Sequence, residues 1–202
     1  MRAGLELADQ LEETDLRPDA IYAPFGTGGV FSALLLALRE RGIDSSLIGI
    51  SVNRNGEWCR ENLGRWWDGL CGELGRDPER SKGHFEIHDA FVGRGYGDPT
   101  EACLDAIALL ARTEGVLVDP VYSGKMASGF LAHASAGRWS EGHRVLLLHT
   151  GGVPALFAYH GPLRTHLEKR GVRIRAGTGA PARPTAPEAT EAENVDASQE
   201  TM

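Results

Sequence analysis

The stretch AIYAPFGTGGVFSALLLALRER, residues 20–41, constrains the fold more than any other part of the chain. Its first five residues, Ala20–Pro24, read as a short buried strand, and the proline of the preceding LRPDA disfavours helix just before it. Gly26-Thr27-Gly28-Gly29 then make a tight turn. From Gly28 to Arg41 the chain is apolar on nearly every turn, as a helix covered by a sheet on one side and by neighbours on the other requires. A strand that passes through a glycine turn directly into a buried helix is the opening unit of a layered α/β structure.

The rest of the chain keeps that alternation. The opening MRAGLELADQLEET has helical spacing, and SLIGISVN (46–53) reads as a strand. GEWCRENLGRWWDGLCGELG carries Trp58, Leu63, Trp66, Trp67, Leu70 and Leu74 near a helical period and ends at an Asp77–Pro78 break. HFEIHDAFV alternates like a strand. In DPTEACLDAIALLARTEG, Asp98 is the expected cap, Pro99 suits the first turn, Glu101 completes a capping box and Gly115 ends the helix. VLVD and RVLLLHT are expected strands, separated by the helical SGKMASGFLAHASAG. Continuous apolar runs, rather than strict in/out patterns, predict a mainly parallel sheet covered on both faces: a three-layer α/β sandwich over residues 1–175. From Ala176 onward an acidic, Pro/Ala-rich tail without aromatics, leucine or isoleucine cannot bury enough surface to order itself.

Composition narrows the partners. A net charge of −7 argues against a nucleic-acid surface. No run approaches the ~18 apolar residues that span a membrane, and the acidic N-terminus lacks the apolar core of a signal peptide. Three cysteines without C-x-x-C spacing suggest neither a disulfide framework nor a zinc knuckle. The expectation is a soluble cytoplasmic protein with no nucleic-acid or membrane partner.

The glycine turn raises the question of function. At a helix N-terminus the first backbone N–H groups are unsatisfied and the helix dipole favours an anion. A nucleoside triphosphate loop would end in Lys-Ser/Thr, where Val30-Phe31 stands. A dinucleotide fingerprint would need a third glycine at Phe31 and an acid where Asn53 sits. What remains is the single phosphate of a small cofactor such as pyridoxal phosphate, with Thr27 adding a hydroxyl, or a tight turn that binds nothing. His84 and His88, four apart on a strand, are too spread for a compact metal site. Trp66 and Trp67 suit packing better than base stacking. Basic LRTHLEKRGVRIR (163–175) suits a solvated helix end.

Five segments then agree in order and spacing. FGTGGVFSAL, GISVN, GRGYGDPT, EGVLVDPVYSGKMASG and HTGGVPALFAY resemble the C-terminal half of the D-cysteine desulfhydrase and 1-aminocyclopropane-1-carboxylate deaminase family. These are pyridoxal-phosphate enzymes of fold type II, the tryptophan-synthase-β-like architecture. The resemblance covers about Leu5 to Leu163. It implies pyridoxal phosphate as cofactor, with its phosphate on Gly26, Thr27, Gly28 and Gly29, Ser123 facing the pyridine nitrogen, catalytic tyrosines at Tyr96 and Tyr122, and Thr150 of HTGG on the substrate side. Val30 departs from the threonine usual in the family and removes a hydroxyl from the phosphate. A hydroxyl at Ser123, where deaminase members tend to carry glutamate, leans toward desulfhydrase. The family converts a small amino acid to a 2-oxo acid and ammonia, with sulfide released from D-cysteine.

The chain has three lysines, Lys82, Lys125 and Lys169. In the family the Schiff-base lysine lies upstream of the glycine loop, so Lys125 of DPVYSGK is expected to be structural and the catalytic amine to lie outside this sequence. That implies a fragment inactive alone, completed by an N-terminal half from another chain and forming a homodimer when complete. The other reading is a non-catalytic cofactor-binding or partner subunit.

Overall fold

The computed structural model describes residues 1–78 and 83–173; Lys82 and the tail expected from Ala176 lie outside them. Among the described residues four strands form one parallel sheet in the order β3-β2-β1-β4: β1 (Ala20–Phe25), β2 (Ser46–Ser51), β3 (Phe85–His88) and β4 (Val145–Leu147). β1 lies between β2 and β4, and all six of its residues are buried. That explains the absence of polar alternation in AIYAPF, since both faces of the strand are covered.

One covering layer is built by α1 (Arg2–Glu13), α2 (Gly29–Glu40) and α3 (Gly56–Leu74). Ile21, Ala23 and Phe25 of β1 meet Leu34, Leu35, Leu38, Leu63 and Trp67 on that side. Leu34, Leu35, Leu36 and Leu38 of α2 are essentially solvent-free, and each such burial is worth about 2 kcal/mol. The α3 helix starts at Asn55, whose side chain accepts from Trp58 N–H, and Asp89 accepts from Gly56 N–H at 2.6 Å.

The other layer is built by α5 (Ser123–Ser135), with α4 (Glu101–Thr113) packed outside it. Ala20 and Tyr22 face this way, with Ile48, Ile50 and Met126. α4 and α5 approach closely at Gly124, where a Cβ would lie 2.6 Å from the Asp119 carbonyl and 2.9 Å from Cys103 Sγ. Two short helices, α6 (Ala155–Ala158) and α7 (His160–Lys169), close the end of the chain described.

Four expectations need correction. Thr100, not Asp98, caps α4: its hydroxyl accepts from Cys103 N–H at 3.1 Å, while Asp98 is drawn away into a two-pronged pair with Arg94. VLVD forms no strand; the Leu117 carbonyl is taken by the His149 ring. RVLLLHT contributes only Val145–Leu147 to the sheet, because the chain turns away at His149 to line a cavity. The basic segment is also not simply a solvated end: Leu163 packs near α4, His166 is buried against Asp105 at 2.8 Å, and Arg170 reaches the same carboxylate.

Candidate active site

A cavity of about 730 Å³ opens at the C-terminal ends of β1, β2 and β4. Its place follows from topology: the chain runs outward from β1 to β2 and β3, then crosses back to set β4 on the other side of β1. Parallel sheets leave a crevice where the direction of winding reverses. Gly26, Thr27 and Gly28 line it from the β1–α2 turn, Asn53 from the end of β2, and His149 and Thr150 from the segment after β4. Tyr96 and Tyr122 complete the wall.

The glycine turn is held from behind. Gly28 is the N-cap of α2 at φ 92°, a left-handed conformation, and a Cβ there would lie 2.8 Å from the Phe25 ring, so two independent constraints require glycine. No side chain caps α2, which leaves its first N–H groups directed at the cavity. The Thr27 carbonyl accepts from Asn62 Nδ2 and, at 3.0 Å, from Trp66 Nε1. Trp66 is therefore neither core nor platform; it is 46% exposed and clamps the turn, whereas Trp67 is fully buried. A Cβ on Gly29 would meet the Trp66 ring at 3.4 Å.

In the same lining, with the Tyr122 ring beside Gly26, the phenol oxygens of Tyr96 and Tyr122 are 2.5 Å apart. The shared hydrogen bond and burial push the Tyr122 phenol up to about 12. Tyr122 and Ser123 stand at the start of α5, and Asp119 puts them there. Its buried carboxylate accepts from the N–H groups of Val121 (2.8 Å) and Tyr122 (2.7 Å) on one oxygen and of Ser123 (2.8 Å) on the other. His149 is fixed too: its Nδ1 accepts from Gly151 N–H at 3.0 Å, so Nε2 donates to the Leu117 carbonyl.

Gly26, Thr27, Gly28, Tyr96, Tyr122 and Thr150 thus share one cavity. Gly29 and Ser123 sit just behind its wall, Gly29 as the first residue of α2 and Ser123 wholly buried beside Tyr122. Lys125 does not line the cavity: it is buried, and its ammonium is engaged by backbone carbonyls. Sequence reasoning missed Asp119 and Asn53. Asn53 was legible as a polar residue just past a strand of a parallel sheet, whereas Asp119 reads as the end of VLVD.

Fold and cavity define a class: a parallel α/β protein with an uncapped helix N-terminus at its winding reversal, where such folds take phosphorylated cofactors. The family of pyridoxal-phosphate dependent enzymes matches residues 1–151, and the chain belongs to it. The chain is 33% identical over 160 residues to the D-cysteine desulfhydrase of Salmonella newport (strain SL254), covering 79% of this chain and 48% of the relative. The D-cysteine desulfhydrase of Salmonella dublin matches at the same identity and coverage. A crystal structure of an ACC deaminase homologue superposes with a TM-score of 0.70 at 26% identity, over 81% of this chain and 49% of that one. A fungal L-serine ammonia-lyase from Rhizomucor miehei shares the fold, with a TM-score of 0.53 at 16% identity over 80% of this chain and 55% of that one. The chain spans about half the length of the curated relatives it matches. Its fold is the fold-type II architecture, and the family's cofactor is pyridoxal phosphate.

The residues present fit that cofactor. The α2 N-terminus offers N–H donors that no side chain among the described residues caps, and its first turn holds no acid. Two buried polar atoms beside or within the cavity wall, Ser123 Oγ and Asn53 Oδ1, have no hydrogen-bond partner. Buried polar atoms in native folds are nearly always paired, so two orphans at one cavity mark where a polar ligand belongs.

Proposed function

We propose that this chain forms the phosphate-binding and substrate-side part of a pyridoxal-phosphate-dependent lyase of the D-cysteine desulfhydrase and ACC deaminase type. The complete enzyme would convert a small amino acid and water to a 2-oxo acid and ammonia, with sulfide as a further product from D-cysteine. The observation that carries this reading is the meeting of an uncapped helix N-terminus and a bonded tyrosine pair in the lining of one cavity, beside the unpartnered Ser123 hydroxyl.

When bound, the cofactor supplies an electron sink that makes the α-proton of an amino acid removable. Gly26 to Gly29 and the first turn of α2 hold its phosphate by backbone N–H groups, with Thr27 adding a hydroxyl. Ser123 offers the ring nitrogen a hydroxyl rather than a carboxylate, which favours elimination over transamination. Tyr96 and Tyr122 share one short hydrogen bond, so the negative charge left when one phenol gives up its proton is stabilised by the O–H of the other. Thr150 and His149 orient the substrate end.

Among the described residues no lysine lines the cavity. We place the Schiff-base amine in polypeptide outside this sequence, in a segment that would also complete the fold and allow a homodimer, working in the cytoplasm. The test incubates the chain with pyridoxal phosphate, alone and with the N-terminal half of a related desulfhydrase. Borohydride reduction, peptide mapping and sulfide release from D-cysteine are then read. Saturable cofactor binding by the chain alone, with label and sulfide only in the presence of the second half, supports the proposal. Stoichiometric label on Lys125 overturns the assignment of the amine, and cofactor binding without turnover in the completed protein favours a non-catalytic subunit.

A further inference from the structure

Lys125 is wholly buried, yet its partners are backbone oxygens. Its ammonium donates to the carbonyls of Val92 at 2.7 Å, Gly95 at 2.8 Å and Val52 at 3.2 Å. An ammonium has three N–H donors, so all are used. Burial lowers the pKa of this amine, since desolvation disfavours its charge. A methionine would occupy similar volume without that penalty, so packing alone does not account for a lysine here.

The three carbonyls belong to segments that carry the cavity wall. Val52 immediately precedes Asn53, whose Oδ1 is one of the two unpartnered buried atoms at the cavity. Val92 and Gly95 bracket the turn that delivers Tyr96, in a glycine-rich loop without regular structure. Lys125 itself follows Tyr122 by three residues and Ser123 by two. The loop is also tied by the Tyr96–Tyr122 hydrogen bond itself, by an exposed Arg94–Asp98 pair, weakened by solvent, and by a hydrogen bond from Tyr159 to the Gly97 carbonyl.

We infer that Lys125 is a positioning residue: its ammonium gathers the end of β2 and the GRGYG loop onto the start of α5, and so sets the Tyr96 phenol against that of Tyr122. The catalytic consequence rests on the function proposed above, whereas the positioning itself does not.

Lys125→Met removes the three donors and keeps the stem. Hydrogen–deuterium exchange across residues 90–98 should quicken at least tenfold while β1 and α2 keep their protection. The ultraviolet titration of Tyr122 should move down from about 12 as the phenol pair separates. In the completed enzyme kcat should fall about a hundredfold with a smaller change in KM, the cost of a displacement near 1 Å, and adding Tyr96→Phe should cost little more. Unchanged exchange, or a loosened loop with an unchanged phenol titration, overturns the inference. A loosened loop with full kcat overturns its catalytic half. If the wild-type protein turns over no small amino acid, the proposed function fails while exchange and titration still decide the positioning. Should the variant not fold, ¹⁵N-lysine spectra of the wild-type chain decide instead. An ammonium signal with slowly exchanging protons is expected for Lys125, and solvent-rate exchange at all three lysines of the chain is the contrary result.

Discussion

Two helices begin at this cavity and treat their first turn in opposite ways. At α2 the capping position is Gly28, which has no side chain to offer, and the free N–H groups open onto the cavity. At α5 the same need is met within the protein by Asp119, whose carboxylate takes three N–H groups. A helix N-terminus attracts an anion in either case. The difference is who provides it. The vacant end suits a ligand's phosphate; the filled end acts as a rigid mount for Tyr122 and Ser123.

The largest effect should come from emptying the filled end. Asp119→Ala leaves three buried N–H groups without acceptors, and a cost of about 3 kcal/mol is expected from bonds to a charged acceptor. Urea unfolding followed by circular dichroism should register it, with Asp119→Asn losing less because the amide keeps one accepting oxygen. A loss below about 0.5 kcal/mol in the alanine variant, the size of an ordinary surface change, would mean that Asp119 is not the anchor of α5.

The complementary change fills the empty end. Gly28→Asp places a carboxylate where the phosphate is proposed to sit, and cofactor affinity should fall about a hundredfold through like-charge repulsion. Gly28→Asn has nearly the same shape and also tolerates a left-handed backbone, so it carries the steric cost against Phe25 without the charge. Absorbance titration with pyridoxal phosphate compares the two. Equal losses would attribute the effect to shape and remove the electrostatic contrast between α2 and α5.

These two ends were unequally legible in the sequence. GTGG after an apolar strand announces its own geometry, because glycine at the cap and an apolar helix behind it are local facts. The roles of Tyr96, Tyr122, Ser123 and Thr150 came through resemblance; the gathering of Tyr96, Tyr122 and Thr150 at one cavity depends on β4 returning beside β1, a pairing 125 residues distant at Ala20 and Val145. Asp119 was hidden differently. It reads as the end of a strand in VLVD, and only the turn at Pro120 shows that its side chain folds forward onto α5. Asp98 failed for a matching reason: it satisfies a capping pattern, but Arg94 competes for the carboxylate and Thr100 takes its place.

Tyr96→Phe examines what the filled end holds. With its phenol partner gone, Tyr122 should titrate below about 12, toward the ordinary tyrosine range, though burial and nearby Asp119 keep it raised. A folded-state pKa above the unfolded value means that folding favours the protonated phenol. The contribution is therefore complete below about pH 10 and is lost as pH rises toward 12. Wild-type stability should fall more steeply than that of Tyr96→Phe across this window, as measured by denaturant unfolding at several pH values.

The smallest effect expected is at the vacant end. Val30, in the first turn of α2, is 62% exposed and lines the cavity. Val30→Thr returns a hydroxyl beside the free N–H groups, and one added hydrogen bond to an anion is worth about 1 kcal/mol, or roughly fivefold in cofactor affinity. Stability should hardly change, because an exposed valine contributes little burial. Fluorescence titration at fixed ionic strength resolves a change of that size. Tighter binding with an unaltered melting curve would place the phosphate against the first turn of α2; no change in affinity would mean that the phosphate seats elsewhere in the cavity, and the contrast between the two helix ends would then lose its functional half.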